Sequence, residues 1–175
     1  MIETDRLVLR WPEPRDRVAL HAMWADPRVM ADLGPVKDAA ASDATLAKHE
    51  GYRGVGLGFW AVERKDRAVA IGFCGLKPGA ENTPIAGALE IGWIIAAEHW
   101  GQGFASEAAR ASLAYGWLHA DAHRIVAITA ASNTASRGLM ARLGMAEVPG
   151  GMFDHPLFEP GDRLRRTVTY AIDRP

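Results

Sequence analysis

Cysteine is nearly absent from this sequence: its 175 residues contain only one, Cys74. A single cysteine excludes an internal disulfide framework and a zinc site built from several thiolates. It is typical of proteins in a reducing compartment, where thiols stay reduced. Cys74 follows Phe73 in an apolar segment with no neighbouring histidine. We therefore expect a packed core thiol rather than a nucleophile.

Long apolar runs and an excess of one charge are also missing. No stretch approaches the roughly 20 apolar residues that a membrane-spanning helix needs. Charged residues interrupt the apolar positions of residues 1–11, so these residues do not resemble a signal peptide. With 20 Lys+Arg against 21 Asp+Glu, the chain lacks the basic excess typical of proteins that bind duplex nucleic acid. We therefore expect a cytoplasmic protein that binds neither a membrane nor a nucleic acid.

The length and the apolar content predict one globular domain. Hydrophobic residues make up 49% of the chain, which excludes a disordered protein. A chain of this size buries roughly 70% of its unfolded surface, so it needs neither disulfides nor a structural metal. No linker, repeat or low-complexity segment divides it. We expect a single domain over residues 1–175.

The spacing of apolar residues predicts an alternation of strands and helices. Period-two spacing indicates strands at residues 3–11, 59–64, 68–76, 86–96, 124–130 and 165–172. Spacing by three and four indicates helices at residues 15–25, 39–52, 104–119 and 133–143. We expect Val18 and Ala22 on the buried stripe of the first helix, and Val69, Ile71 and Phe73 on one face of their strand. This order implies an α/β or α+β domain with helices packed on a mostly antiparallel sheet.

A glycine-rich turn at residues 101–103 is the sharpest local signal. A buried strand leads into it and an amphipathic helix follows from Phe104. Free backbone N–H groups and the positive end of the helix dipole meet at such a turn, which favours a phosphate or pyrophosphate. A P-loop matches poorly because no lysine follows Gly103, and a dinucleotide fingerprint matches poorly because Ser106 occupies its third small position. A tight turn without any ligand is the alternative interpretation.

Residues 100–108, Trp-Gly-Gln-Gly-Phe-Ala-Ser-Glu-Ala, resemble the acyl-CoA pyrophosphate loop of the GNAT-fold N-acetyltransferases. Gly103 and Ala105 match its Gln/Arg-x-x-Gly-x-Gly/Ala motif, whereas Trp100 replaces the first residue. This form is similar to that of the RimJ/RimL-like branch, which includes ribosomal-protein N-terminal acetyltransferases. Three further segments resemble that branch in the same order: Thr-Asp-Arg-Leu-Val-Leu-Arg at 4–10, Glu-Ile-Gly-Trp at 90–93, and Asn-Thr-Ala-Ser at 133–136 with Leu-Gly-Met at 143–145.

The resemblance implies the GNAT fold. That fold is a bent, mostly antiparallel mixed sheet with helices on both faces and a V-shaped split between its fourth and fifth strands, here residues 86–96 and 124–130. It implies acetyl-CoA as cosubstrate, no metal, and direct acetyl transfer without an acyl-enzyme. The residues that it assigns to the cosubstrate are Ile94, Ile95, Trp100, Gly101, Gln102, Gly103, Phe104, Ala105, Ser106 and Asn133. Backbone N–H groups near Ile94 and Ile95 would bind the pantetheine arm and polarise the thioester.

Amine acetylation needs a base for the attacking ammonium, and two residues are candidates. Glu90 shares a strand face with Gly92 and Ile94, where apolar neighbours would adapt it to work near neutrality. The alternative is an ordinary glutamate in a salt bridge. His155, in the Phe-Asp-His-Pro segment at 153–156, is the second candidate because histidine needs little tuning at neutral pH. The alternative is a loop histidine before a turn-forming proline.

The residue that could supply a proton to the leaving thiolate differs from that of the wider family. Many members carry a tyrosine four residues after the serine of the Asn-x-x-Ser segment, where this chain has Met140. Ser136 is the natural substitute, either by solvating the thiolate or by relaying a proton. Alternatively, Asn133 and Ser136 only cap their helix. Arg137 and Arg142 are candidate contacts for the nucleotide phosphate of CoA, or solvated surface residues.

The resemblance implies an acetyl-CoA-dependent N-acetyltransferase acting on a primary amine, either a protein N-terminus or a small molecule. The main alternative is a catalytically silent module that binds acyl-CoA, and a nucleotide-binding protein is a third interpretation. Residues 31–58 are expected to shape the acceptor pocket. A homodimer is common in the family, although no apolar stripe in this sequence demands one.

Overall fold

The computed structural model describes all 175 residues, which form one nine-stranded sheet and five α-helices. The strands are β1 (Ile2–Glu3), β2 (Leu7–Arg10), β3 (Gly58–Arg64), β4 (Val69–Pro78), β5 (Leu89–Ile95), β6 (Arg124–Ala130), β7 (Ala146–Glu147), β8 (Phe153–Asp154) and β9 (Arg166–Asp173). The helices are α1 (Arg17–Ala25), α2 (Pro27–Met30), α3 (Ala39–Glu50), α4 (Phe104–His119) and α5 (Thr134–Arg142). None of these helices is both long and apolar enough to cross a membrane.

The sheet is antiparallel except where β5 meets β6. The strand order is β1-β2-β3-β4-β5-β6-β9-β7, and β8 pairs with β9. The antiparallel partner β4 pairs with β5 along its whole length, from Gly72 opposite Ile95 to Pro78 opposite Leu89. In contrast, β6 pairs in parallel with only Leu89 and Glu90 of β5. The carboxyl-terminal half of β5 therefore has no partner on its β6 side, and this divergence is the predicted split.

The two faces of the sheet carry different helices because successive strand residues point to opposite faces. Phe59 of β3 and Phe73 of β4 pack with α1 and α2. Their neighbours Trp60 and Cys74 pack on the other face with α4. A third cluster joins α4 and α5 to β5, β6 and β9 on that second face. The predicted architecture, a mostly antiparallel mixed sheet split between β5 and β6 with helices on both faces, is confirmed.

The expected buried stripe of α1 is wrong. Val18 is 82% exposed, and the helix instead buries Leu20, Met23 and Trp24. Both stripes have helical spacing, but the second carries the larger side chains. It therefore removes more apolar surface from water when it packs on the sheet.

The expected shared face of Val69, Ile71 and Phe73 is also wrong. The register between β3 and β4 shifts at Val62 and Glu63, which leaves Ile71 as the extra residue of a β-bulge. Ile71 consequently packs on the α4 face, Phe73 packs on the α1 face, and Val69 is exposed at the end of its strand. Strands β1, β7 and β8 and helix α2 were not predicted as separate elements; each has only two to four residues.

Candidate active site

The turn between β5 and α4 has the backbone of an anion site. Gly101 and Gly103 have φ values of 73° and 83°, in the left-handed region where a side chain would be strained. A Cβ placed on Gly101 would meet nothing within 4 Å, so the space beside the turn is open. The 16-residue helix α4 begins at Phe104, immediately after Gly103. Its unpaired first-turn N–H groups and its dipole therefore face that space.

Side chains of the predicted loop residues hold the turn in shape. The Trp100 indole N–H donates to the carbonyl of Ile95 at 2.7 Å, and Gln102 Nε2 donates to the carbonyl of Glu98 at 3.2 Å. Phe104 is buried and Ala105 packs against the core, whereas Ser106 is half-buried. These contacts leave the backbone of the turn, rather than its side chains, as the surface that a pyrophosphate would meet.

An N-terminal clamp, which we define as Thr4, Arg6 and Glu107, fixes the start of α4. The Glu107 carboxylate accepts hydrogen bonds from Thr4 Oγ1 at 2.6 Å, the Arg6 backbone N–H at 2.9 Å and Arg6 Nε at 2.7 Å. Burial alone would raise the pKa of Glu107, but these hydrogen bonds outweigh it and hold the pKa below its usual value. Arg6 Nη1 also donates to the carbonyl of Gln102 at 3.0 Å.

The clamp explains why two distant motifs occur together in the sequence. The Thr-Asp-Arg segment at 4–6 and the Ser-Glu-Ala segment at 106–108 make direct contact. Both motifs resemble the family, but their contact with each other was not predicted from the sequence. The signal that could have predicted the contact was an arginine in the first strand segment and a glutamate in the first turn of the helix.

Backbone alternation along β5 decides which N–H groups face the split. The N–H of Ala96 donates to the carbonyl of Ile71 at 2.9 Å. Because hydrogen-bonded pairs alternate along an antiparallel ladder, the N–H of Ile94 also faces β4, and those of Trp93 and Ile95 face the split. The N–H of Ile95 therefore lies as expected. The N–H of Ile94 points to β4 instead of the split, and the N–H of Trp93, which does face the split, was not predicted.

Glu90 lies on the face of β5 that also carries Gly92 and Ile94, as expected. Its side chain is 8% exposed and forms an ion pair with Lys77 Nζ. Lys77 is its cross-strand neighbour on β4, and its side chain is 17% exposed. The expected apolar neighbours are therefore not the whole of its surroundings: the register of β4 places Lys77 opposite Glu90, and the salt bridge of the alternative interpretation is present. The pattern of residues along β4 alone does not predict that Lys77 pairs with Glu90.

Two histidines lie near this ion pair. His49, in the last turn of α3, is buried against the Phe59 and Phe73 rings, and its Nδ1 accepts the N–H of Phe59 at 3.2 Å. Burial, helped by the charge of Lys77 and other lysines, lowers the pKa of His49 to about 3. His155 lies between Phe153 and Phe158, and burial together with Lys77 lowers its pKa too. The sequence analysis identified His155 and missed His49.

A cavity of about 130 Å³ adjoins His155. Three parts of the chain form it: the loop after α2, the end of β6, and the loop between β8 and β9. Its lining residues are Asp32, Leu33, Ile128, Thr129, Ala130, His155, Phe158, Leu164 and Thr167. Arg163 pairs with Asp32 at 2.7 Å and joins the two loops. The segment 31–58 thus contributes to this cavity through Asp32 and Leu33.

Helix α5 carries the remaining candidates. Asn133 is buried at its N-cap, and its Oδ1 accepts the N–H of Ser136 at 3.0 Å. Ser136 is half-buried, and Met140 is fully buried in the core. Arg137 turns away to Tyr170, Ala131 and Glu147.

The potential metal ligands and the single thiol complete the description of the polar side chains. No group of three or more His, Cys, Asp and Glu side chains is arranged to hold a metal ion. Cys74 is buried with its Sγ 3.4 Å from Ser112 Oγ, and burial raises its pKa to about 12. The thiol is therefore a core group, as predicted, with almost no thiolate at neutral pH.

Comparison with known proteins identifies the family. Residues 6–146 match the model of the acetyltransferase (GNAT) domain. The chain belongs to the GNAT acetyltransferase family. It is 34% identical to the uncharacterized protein YkkB of Bacillus subtilis, covering 81% of this chain and 83% of YkkB. It is 29% identical to the uncharacterized N-acetyltransferase YoaA of the same organism, covering 100% and 97%.

Solved structures agree on the fold. A GNAT-family acetyltransferase from Bacillus anthracis superposes with a TM-score of 0.79 at 27% identity, over 98% of this chain and 97% of that one. RimL, a ribosomal L7/L12 α-N-protein acetyltransferase solved with coenzyme A, has a TM-score of 0.76 at 19% identity, over 97% and 95%. The GNAT fold and an acetyl-CoA-dependent N-acetyltransferase are thus confirmed. The likeness to RimL is one of fold and does not establish the RimJ/RimL-like branch.

Proposed function

We infer that this enzyme transfers an acetyl group from acetyl-CoA directly to a primary amine, within a complex that holds both substrates. The observation that carries this inference is the split itself: β5 loses its β6 partner beyond Glu90 and runs into a glycine turn at the start of α4. Backbone donors for a pantetheine arm and for a pyrophosphate therefore lie along one continuous path. The RimL complex with coenzyme A supports this placement by its similar fold.

The residues proposed for the cosubstrate form two groups. The turn from Trp100 to Ser106 would hold the pyrophosphate on the N–H groups that Gly101 and Gly103 leave open. The N–H groups of Trp93 and Ile95 would bind the pantetheine arm and polarise the thioester carbonyl. Asn133, at the start of α5, is proposed as a further contact for the cosubstrate, although its side-chain oxygen already caps the helix.

Glu90 is proposed as the base. A primary ammonium loses two protons during acetylation: one ends on the CoA thiol, and the other leaves with solvent. Glu90 would take the first proton from the ammonium, directly or through a water, so that the free amine attacks the thioester carbon and the C–S bond breaks. Its place on β5, at the last residue that still pairs with β6 before the split opens, supports this role.

Ser136 is proposed to solvate the departing thiolate or relay its proton. Its hydroxyl sits in the first turn of α5, and the buried Met140 offers no proton on that helix. His155 is the alternative base, with a lowered pKa that keeps its ring neutral near pH 7. The RimJ/RimL-like branch remains a proposal supported by the ordered motifs. A cytoplasmic location and a homodimer remain proposals on the same family basis.

The decisive experiment titrates acetyl-CoA against the melting temperature and then adds amines. A ligand that binds the folded state raises the melting temperature by mass action. The wild type is expected to shift, and the Gly101→Glu variant is not, because its carboxylate would face the pyrophosphate in the open space beside the turn. Gly150→Glu is the matched control: it puts the same charge at a φ of 72° on a distant turn with open space.

The amines separate the enzyme from the silent module. We expect free CoA to accumulate when primary amines are added to wild type and acetyl-CoA. A melting shift without thiol release for any amine would support the silent acyl-CoA-binding module instead. If acetyl-CoA produces no shift at millimolar concentration while ATP or NAD does, the nucleotide-binding interpretation replaces both.

A further inference from the structure

The acceptor side of the site contains a paired charge, and its cation has no role in acetyl transfer as described. Lys77 and Glu90 face each other across β4 and β5 and are mostly buried. A simple amine that bound Glu90 as an ammonium would add a second cation next to Lys77, and one mostly buried carboxylate would then have to balance two positive charges. A buried charge without a partner of opposite sign is poorly solvated and therefore unfavourable.

The side chains around this pair add no free negative charge. His49 comes from α3 and His155 from the loop after β8; burial lowers the pKa of both rings, and the charge of Lys77 adds to that effect. The nearby carboxylates are already paired, Asp32 with Arg163 and Asp154 with Arg165. A polyamine carries several ammonium groups and would meet Lys77 as a like charge.

We propose that the acceptor is a zwitterion, a free amino acid whose ammonium binds Glu90 and whose carboxylate binds Lys77. This inference rests on the proposed function of the same site. Such a molecule enters the ion pair and gives each buried charge a new partner of opposite sign. The pairing also orients the amine, because two charge contacts fix a small molecule more firmly than one. A peptide N-terminus, which lacks the adjacent carboxylate, satisfies only half of the arrangement.

The test compares acceptors that differ only in the carboxylate. For each common L-amino acid, the free acid, its amide and its decarboxylated amine are assayed with wild type by loss of the thioester absorbance of acetyl-CoA. For the accepted side chain, we expect kcat/KM to fall about ten- to a hundredfold from acid to amide, because Lys77 loses a charge-assisted hydrogen bond. Amides or amines that react as well as the acids would overturn the proposal.

Variants locate the effect at Lys77. In Lys77→Met the acid-to-amide ratio is expected to collapse toward one, and in Lys77→Arg it is expected to persist. Because the readout is a ratio, a general loss of activity cancels. Lys48→Met is the matched control, since Lys48 is exposed on α3 and does not touch Glu90. A ratio that survives in a folded Lys77→Met enzyme would overturn the assignment of the carboxylate to Lys77.

The same assay separates this inference from the proposed function. Turnover confined to peptides or polyamines would leave the acetyltransferase reaction standing and overturn the zwitterionic acceptor. Absence of turnover with every amine, despite binding of acetyl-CoA, would overturn both.

Discussion

The two halves of the cleft are built in different ways. The cosubstrate half consists of the β5–α4 turn, the free side of β5 and the clamp of Thr4, Arg6 and Glu107. Most of its residues belong to one continuous segment, and the groups proposed to bind acetyl-CoA are backbone N–H donors. The acceptor half combines side chains from α3, β4, β5, β6 and the loop between β8 and β9.

This difference shows how one fold keeps a cosubstrate while changing its acceptor. Backbone donors depend on conformation, so few side chains can be exchanged there without breaking the turn. Gly101 and Gly103 illustrate the constraint by their positive φ values. The acceptor half depends on side-chain identity, as the Lys77–Glu90 pair shows. Substitutions should therefore affect the two halves separately.

The largest expected effect lies in the acceptor half, at Glu90. In Glu90→Gln, the rate of acetyl transfer should fall by about a hundred- to ten-thousandfold, because the base is lost. Acetyl-CoA affinity should stay close to that of wild type, since Glu90 does not contact the turn. The rate is measured as free thiol release at saturating substrate, and affinity as the melting shift.

The control for Glu90 is Glu50→Gln, the same change on an exposed carboxylate paired with Arg53. Because Glu90→Gln leaves Lys77 without a counter-ion, its melting temperature is measured first and the assay is run below it. A loss of less than tenfold would remove Glu90 as the base and favour His155.

A smaller effect is expected in the cosubstrate half, at Glu107. In Glu107→Ala, Thr4 and Arg6 lose the acceptor of three hydrogen bonds. The free energy of unfolding should fall by about 2 kcal/mol, the order expected for hydrogen bonds to a charged group near the surface. Acetyl-CoA affinity should weaken as well, because Arg6 holds the carbonyl of Gln102. Urea unfolding and the acetyl-CoA titration measure these two quantities.

The acceptor preference is the internal control for Glu107→Ala and should not change. Glu147→Ala offers a second comparison, since Glu147 accepts from Arg137 and Tyr170 at a site away from the turn. Unchanged acetyl-CoA affinity in a destabilised Glu107→Ala protein would show that the clamp supports α4 without positioning the turn.

The smallest effect concerns pH and His49. Its folded pKa of about 3 lies below the usual value of 6.5, so the unfolded chain takes up the proton first as the pH falls. The stabilisation from a neutral His49 is therefore complete above about pH 6.5 and is lost as the pH falls toward 3. At pH 5.5 the loss should be between about 1 and 2 kcal/mol relative to pH 8.

The variant His49→Phe should show a flatter pH dependence than wild type in urea unfolding between pH 8 and pH 5.5. It should also be less stable at pH 8, because the N–H of Phe59 loses its acceptor. The exposed His123, changed to phenylalanine, serves as control and should keep the wild-type slope. Equal slopes for wild type and His49→Phe would mean that His49 is not held neutral by burial.

The elements that sequence reasoning predicted best have strong local signals. Helix α4 and strand β6 begin and end at the predicted residues, because the glycine turn and the apolar periods define them locally. Asn133 caps α5, and Gly144 follows it with a φ of 84°. The β-bulge at Ile71 was missed because two strands must meet before a register shift exists.

The features of the site also fall into those that follow from the local sequence and those that depend on distant parts of the chain. The face of Glu90 follows from alternation along one strand, and the anion character of the turn follows from its glycines and its helix. The partner of Glu90 and the burial of His49 depend on which residues other strands and helices bring close, and no local pattern reports that.

The sequence by itself determined the family, through four motifs in the same order, and that resemblance implied the split between residues 86–96 and 124–130. The glycine-rich turn after the split strand follows from the local sequence alone. Only the tertiary structure decided that Lys77 faces Glu90, that Arg6 and Thr4 hold Glu107, and that His49 stays neutral. These properties belong to pairs of residues separated along the chain. Their energies depend on distance and burial, which exist only once the sheet has its register and its helices are packed.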